Sequence, residues 1–261
     1  MRYGFWLMMV TMVTPAYAYD IVQAIAEKGY FVEADCENEP SLPLDVCGCE
    51  SNVAYPTIKG LGNSELEADI NRKLAAVVER SGCAEEGESM RPKERTVAEN
   101  EEELRTTKVK NTYEVTFQGT QQVSFLMTHS FYGAGAAHEM TMQKGITVNL
   151  ADGDVASNHD VLDPKHAKSI NDYIRAELKK RNQEAKAQQD TKDADTYWLV
   201  DDEGRPKDYM TDEGCSGCQV YRDKEGWKLS FALYSVAPFS LGHVVVPLRD
   251  SFIKPEWGRV Q

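Results

Sequence analysis

The chain has 261 residues, 27% of them charged, with 42 acidic residues against 29 basic ones and five histidines. The net charge of −13 excludes nucleic acid as the natural partner, because phosphate binding needs a basic surface. An acidic surface of this size keeps a protein soluble and steers a cationic partner inward.

At the N-terminus, Arg2 precedes a short apolar run from Phe5 to Val13, broken by Pro15 and followed by Ala16-Tyr17-Ala18. This is the order of a secretory leader, residues 1–18, with a small-x-small cleavage site. The run falls short of the roughly 20 apolar residues that a spanning helix needs. No cysteine at the cleavage point offers a lipid attachment site. The mature chain is therefore expected to begin at Tyr19, to be periplasmic or secreted, and to keep no stable membrane anchor. Without Arg2, 28 basic residues face 42 acidic ones, a net −14 over 243 residues, enough for one large domain or two small ones.

All six cysteines, Cys36, Cys47, Cys49, Cys83, Cys215 and Cys218, fall in the mature part. In an oxidising compartment they are disulfide candidates, and their pairing stays open. A zinc site built on Cys47-x-Cys49 is the rival, but paired ligands normally have two or more residues between them. No metal and no cofactor are expected.

Residues 19–52, with three cysteines and two prolines, are expected to form an irregular, stapled extension ahead of one domain over 53–261. "AYPTIKGL" reads as a short strand. In "NSELEADINRKLAAVVERSG", Ser64 and Glu67 have capping-box spacing. Leu66, Ile70, Leu74 and Val77 repeat at the helical period, and Gly82 is expected to end the helix. From Ala84 to Arg105 the chain is charged and nearly without apolar residues, fitting a solvated helix or a connection. "YEVTFQG" and "QQVSFLMTHSFY" alternate, Val115 and Phe117 in one, Val123, Phe125 and Met127 in the other. They predict two antiparallel strands turning at Gly119.

A glycine loop follows, "FYGAGAAHEM", then "TMQKGITVNLADGDV", a strand or two with a turn at Asp152-Gly153. "LDPKHAKSINDYIRAELKKR" predicts a second helix. Asp163 is its N-cap, Pro164 lies in its first turn, and Ile170, Ile174 and Leu178 form its apolar stripe. A polar insert around 183–218 leads to "CQVYRDKEGWKLSFALYSVAPFSLGHVVVPL", read as three strands with a turn over Asp223–Gly226. Strands and helices do not alternate strictly. The fold class is α+β, a mainly antiparallel sheet packed with two amphipathic helices.

The chemistry-bearing motifs are sparse. No Gly-x-Ser-x-Gly elbow accompanies the serines. His129, His138, His159, His166 and His243 show no metal-binding spacing. "CSGC" has the CxxC form of a thiol–disulfide oxidoreductase, but it leads into a strand rather than opening a helix, which favours a structural disulfide. The glycine loop also leads into a strand, so it lacks the helix N-terminus that a phosphate cradle uses. Two readings of it stay open. In one, the glycines allow φ > 0 or close packing at a sheet corner, with His138 hydrogen-bonded beneath. In the other, Tyr132, His138 and Glu139 face a ligand. In "YSVAPFSLG", Pro238 and Gly242 are turn residues, while Tyr234 and Phe239 fill core space or line a groove.

"YGAGAAHE" resembles the Tyr-x-Gly-Gly-Ala-His loop of the RsiV-like extracytoplasmic domain family. "LSFALYSVAPFSLGHVVVPL" is similar to that family's closing motif, an aromatic strand, Tyr-x-x-Ala-Pro-x-x-x-Gly and a short apolar strand. With "YPTIKGL" and "INRKL", the likeness runs from about Ala54 to Pro255. The sequence departs from the pattern at Ala136, which replaces the second loop glycine, and in the insert over Asp201–Cys218. Such domains occur in lysozyme-sensing anti-sigma factors and beside peptidoglycan deacetylase modules. The resemblance implies a non-enzymatic α+β binding domain of the cell envelope, and with no cytoplasmic sigma-binding segment the anti-sigma role is not carried over. Its expected ligand is a cationic lysozyme-like protein or a peptidoglycan fragment. The alternative is an envelope enzyme, either an oxidoreductase using Cys215 and Cys218 or a hydrolase.

Overall fold

A computed structural model describes residues 19–33, 48–78, 83, 90–93, 106–133, 136–188, 197–199, 207–209 and 218–258. The leader, Gly82, Gly135, Cys36, Cys47 and Cys215 lie outside the described residues.

A six-stranded sheet carries the first half of the chain, in the order β3-β1-β2-β4-β5-β6. Its strands are β1 (Asp20–Glu33), β2 (Gly48–Lys59), β3 (Met90–Lys93), β4 (Thr106–Gln118), β5 (Gln122–Tyr132) and β6 (Met140–Asn149). All neighbours are antiparallel except β2 and β4, which run parallel from Gly48↔Thr106 to Val53↔Asn111. The expected irregular extension is corrected here: residues 20–33 form a 14-residue strand. It pairs with β2 from Asp20↔Lys59 to Val32↔Gly48, and β2 crosses the expected boundary at residue 52. Polar and apolar residues fail to alternate cleanly in β1 because its register shifts between Ile25 and Glu27, and a bulge resets which face each side chain takes. Tyr19 is buried, and its hydroxyl donates to the Gly119 carbonyl at 2.9 Å.

Helix α1 (Ser64–Ala76) buries Ile70 and Leu74 against this sheet, in one core with Val53, Ile58, Val123, Phe125 and Val148. Its cap differs from the expected box. Asn63 is the N-cap, its side-chain oxygen accepting from the Glu65 and Leu66 amides at 3.2 and 3.1 Å. Glu67 instead accepts from the amides of Gly60 and Leu61, at 2.7 and 3.2 Å, and so holds the approach to the helix. The turn at Asp152-Gly153 seats under α1. Gly153 has φ 79°, and a Cβ there would lie 2.8 Å from Leu66 Cδ1. Lys73 donates to the Gly153 carbonyl at 2.9 Å.

The second half builds a three-stranded antiparallel sheet in the order β7-β8-β9, from β7 (Gln219–Asp223), β8 (Gly226–Phe231) and β9 (Val244–Pro247). Asp223 Oδ1 accepts from the amides of Glu225 and Gly226 and closes the β7–β8 turn. Asp163 caps a 3-10 turn, Pro164–His166, that leads into helix α2 (Ala167–Gln188). Ile170, Ile174 and Leu178 are fully buried in a second core with Val220, Leu229, Phe231 and Val246. The two halves meet where β7 crosses the face of β4–β6 opposite α1. Thr116 Oγ1 donates to the Arg222 carbonyl at 2.7 Å, and the Arg222 guanidinium stacks 4.3 Å from the Phe117 ring centre. The α+β class with a mainly antiparallel sheet is what the structure shows.

Candidate functional site

Helix α1 is shorter than the strands it covers. Past its end, at Val77 and Val78, the same face of the sheet continues through a cross-strand row: Asn111 on β4 pairs with His129 on β5, which pairs with Met142 on β6. These side chains share a face because residues two apart along a strand point the same way. Val77 and Val78 wall one side of the row, and Lys144, Gln219 and Ala232 border the other, around a groove of about 370 Å³. One row further along, Phe131 and Met140 continue the strip into a smaller hollow of about 170 Å³ beside the glycine loop.

The groove has a fixed polar centre. Asn111 is buried, and the His129 Nδ1 and Asn111 Oδ1 atoms are 2.5 Å apart. With the Asn111 oxygen as acceptor, the imidazole carries its proton on Nδ1, which leaves Nε2 an acceptor. Burial pushes the His129 pKa below the ordinary histidine value. Around this pair the lining is mostly apolar or amide-bearing, with Met127, Met142, Gln143 and Gln219, and Lys144 adds a positive charge at its border. Methionine adapts its shape to what it touches, and 44% of Met142 is exposed.

Histidine stays neutral here while the unfolded chain protonates near pH 6.5, so the unfolded state binds more protons between the lowered pKa and 6.5. The contribution of neutral His129 is complete above that window and is lost as pH falls through it. His243 is pushed down by burial too, partly opposed by the Thr141 backbone. The melting temperature should therefore drop between pH 7.5 and pH 5, and His129→Gln should shrink that drop. An identical pH profile for the variant would contradict this placement of His129.

The sequence-derived candidates scatter. Tyr132 donates its hydroxyl to the Ala136 carbonyl at 2.8 Å and braces the glycine loop from within. His138 and Glu139 are both exposed. His138 Nδ1 lies 3.3 Å from the Glu139 carbonyl, so the ring is not buried beneath the loop as the corner reading expected. Gly133 is not in the left-handed region. A Cβ there would come within 3.3 Å of the Phe131 ring, so close packing is its reason. Tyr234 lies apart from the groove, 55% exposed, with φ 62°. Phe239 opens a 3-10 turn, Phe239–Leu241, in which Leu241 N–H donates to the Pro238 carbonyl. Nothing in the sequence brings Asn111, His129 and Met142 together, because each lies on a different strand and only the pairing registers unite them.

The cysteines resolve in part. Cys49 and Cys83 are both fully buried and bonded to each other across 34 residues, which removes Cys49 from the zinc reading. Cys218 is also disulfide-bonded, is buried, and lies just before strand β7. That is not the exposed helix N-terminus at which a CxxC thiolate is activated. Among the described residues no helix is long and apolar enough to cross a membrane.

The family model described as Deacetylase PdaC matches residues 47–141, from the start of β2 to the first residues of β6. A crystal structure of a member of the DUF3298 family from Bacteroides fragilis NCTC 9343 is similar with a TM-score of 0.51 and 13% identity, over 90% of this chain and 93% of that one. A DUF3298-family protein from Pseudomonas aeruginosa PAO1 aligns with a TM-score of 0.45 and 15% identity, over 93% and 96% of the two chains. No curated protein matches the chain. The Bacteroides likeness is one of fold. The family match supports a relation to extracytoplasmic-type domains, and the buried Cys49–Cys83 bond fits an oxidising compartment.

Proposed function

We propose that this chain is a non-enzymatic, ligand-binding domain of the cell envelope, periplasmic or secreted, and that its groove takes a peptidoglycan fragment. The observation that carries the reading is the Asn111–His129–Met142 row. A rigid, neutral polar pair set among methionine, valine and glutamine side chains offers hydrogen bonds and apolar contact without fixed negative charge. Ligand sites are typically concave and mostly apolar, with a few placed polar groups, and the amides and acetyl groups of a glycan-peptide suit that lining. The likeness to a family named for a deacetylase and the RsiV-like resemblance both favour an envelope setting.

A lysozyme-like cationic partner is the second reading, favoured by the net charge of −13. Titration calorimetry at 0.15 M salt, with soluble peptidoglycan fragments and with a basic lysozyme, separates the two. Met142→Asp changes an exposed side chain and should leave the fold intact while weakening fragment binding by about tenfold or more. Fragment affinity unchanged in that variant would sink the groove reading. Lysozyme binding that fades with salt, as screening beyond about 8 Å requires, and ignores Met142→Asp would favour the second.

A further inference from the structure

After β8 the chain turns through 232–235, with the Ser235 N–H donating to the Ala232 carbonyl at 3.1 Å. In this turn Tyr234 holds a left-handed backbone, φ 62°. The bends at Gly60, Gly62, Gly153 and Gly242, with φ between 67° and 88°, use glycine, which has no Cβ to strain them. At this position the chain keeps a tyrosine and leaves 55% of it exposed. Residues held in sparsely populated backbone conformations cluster at functional sites.

A second large ring is tied to the same turn. Trp198 is 38% exposed, and its backbone N–H donates to the Val236 carbonyl at 2.6 Å, which fixes it against the same turn. Lys207 donates to the Ser235 carbonyl at 2.5 Å, with its ammonium 5.9 Å from the Trp198 ring centre. Trp198 and Lys207 are thus tied to the turn that carries Tyr234, through the carbonyls of residues 236 and 235.

The size and charge of the patch select its occupant. A stable protein interface covers about 800 Å² per partner around an apolar centre. Among the described residues the other exposed large apolar side chains, such as Val22, Val115 and Met142, lie on β1, β4 and β6, so the described part of the patch offers two exposed rings. The net charge of −13 repels acidic polymers. An uncharged pyranose fits: its C–H face lies against an aromatic face, while its hydroxyls reach a cation or amide at the rim. We propose that Trp198 and Tyr234, flanked by Lys207, form a stacking platform for the uncharged sugar rings of a β-linked envelope glycan. The proposal rests on the envelope-binding reading above, and its surface is distinct from the groove.

The test titrates the β-1,4-linked hexasaccharide of N-acetylglucosamine into wild type, Trp198→Ala, Tyr234→Gly, Tyr234→Phe and Met142→Asp. Tyr234→Gly removes the ring and the strain together, so its melting temperature should equal or exceed that of wild type while affinity falls about tenfold. Trp198→Ala should weaken binding similarly, and Tyr234→Phe should retain it. Undiminished affinity in Trp198→Ala and Tyr234→Gly would overturn the platform, as would a wild type that does not bind the hexasaccharide. If only Met142→Asp loses binding, the groove reading stands and the platform falls. If only the two aromatic variants lose it, the platform stands.

Discussion

Replacing both Cys49 and Cys83 by alanine should lower the unfolding free energy by about 4 kcal/mol, the chain-entropy value for a loop of this length. The bond joins residues 34 apart, both with no exposed surface, so its loss frees the chain around α1 in the unfolded state and leaves two small gaps in the core. Cys83 is held a second time, its amide donating to Glu27 Oε1 at 2.7 Å. The bond therefore ties the segment after α1 to both β1 and β2. Val77 and Val78, which wall the groove, lie between α1 and that tie. The double variant should lose groove binding along with stability. Urea denaturation monitored by circular dichroism checks the first effect, and a shift under 1 kcal/mol would show that the tie contributes little.

Gly145→Val should cost 3 kcal/mol or more, at the top of the range for overpacked cores. β6 passes so close to β7 that a Cβ on Gly145 would lie 2.6 Å from Tyr221 Cβ and 2.8 Å from its Cγ. The Tyr221 Cβ is attached directly to the β7 backbone, so turning the ring gives no relief and the small sheet has to move off the large one. Even Gly145→Ala should destabilise for the same reason. Paired with Tyr221→Gly, which removes the opposing Cβ, the alanine variant should cost far less than the two changes summed. Additive costs in that double-mutant cycle would refute direct contact as the cause.

Much of the scaffold was legible because its signals are local. The stripe Ile170, Ile174, Leu178 follows the helical period and is fully buried. Val123, Phe125 and Met127 follow the strand period and share the core face. The turns at Gly119, Asp152-Gly153 and Asp223–Gly226 fall where the residue types place them. Local rules also misled. Ser64 and Glu67 have the spacing of a capping box, yet Asn63 takes the cap because the helix begins at Ser64.

The candidate site was barely legible. Tyr132, His138 and Glu139 stood out because glycines surround them, but the loop is braced by a Tyr132 hydrogen bond and exposes the other two. Tyr234 was visible as a residue, whereas its left-handed backbone and the bond that ties Trp198 to the same turn were not.

By itself the sequence determined the fold class, the two helices, the antiparallel hairpins and the acidic surface, since each depends on composition or on a periodicity repeated within a few residues. Only the tertiary structure decided that residues 20–33 are a strand inside the main sheet, that β2 and β4 run parallel, that Cys49 bonds Cys83, and that Gly145 must stay small beneath Tyr221. It alone gathered Asn111, His129 and Met142 into one row. Pairing partners and face contacts are chosen between segments far apart in the chain, and a local period specifies which face a residue takes without specifying what meets it there.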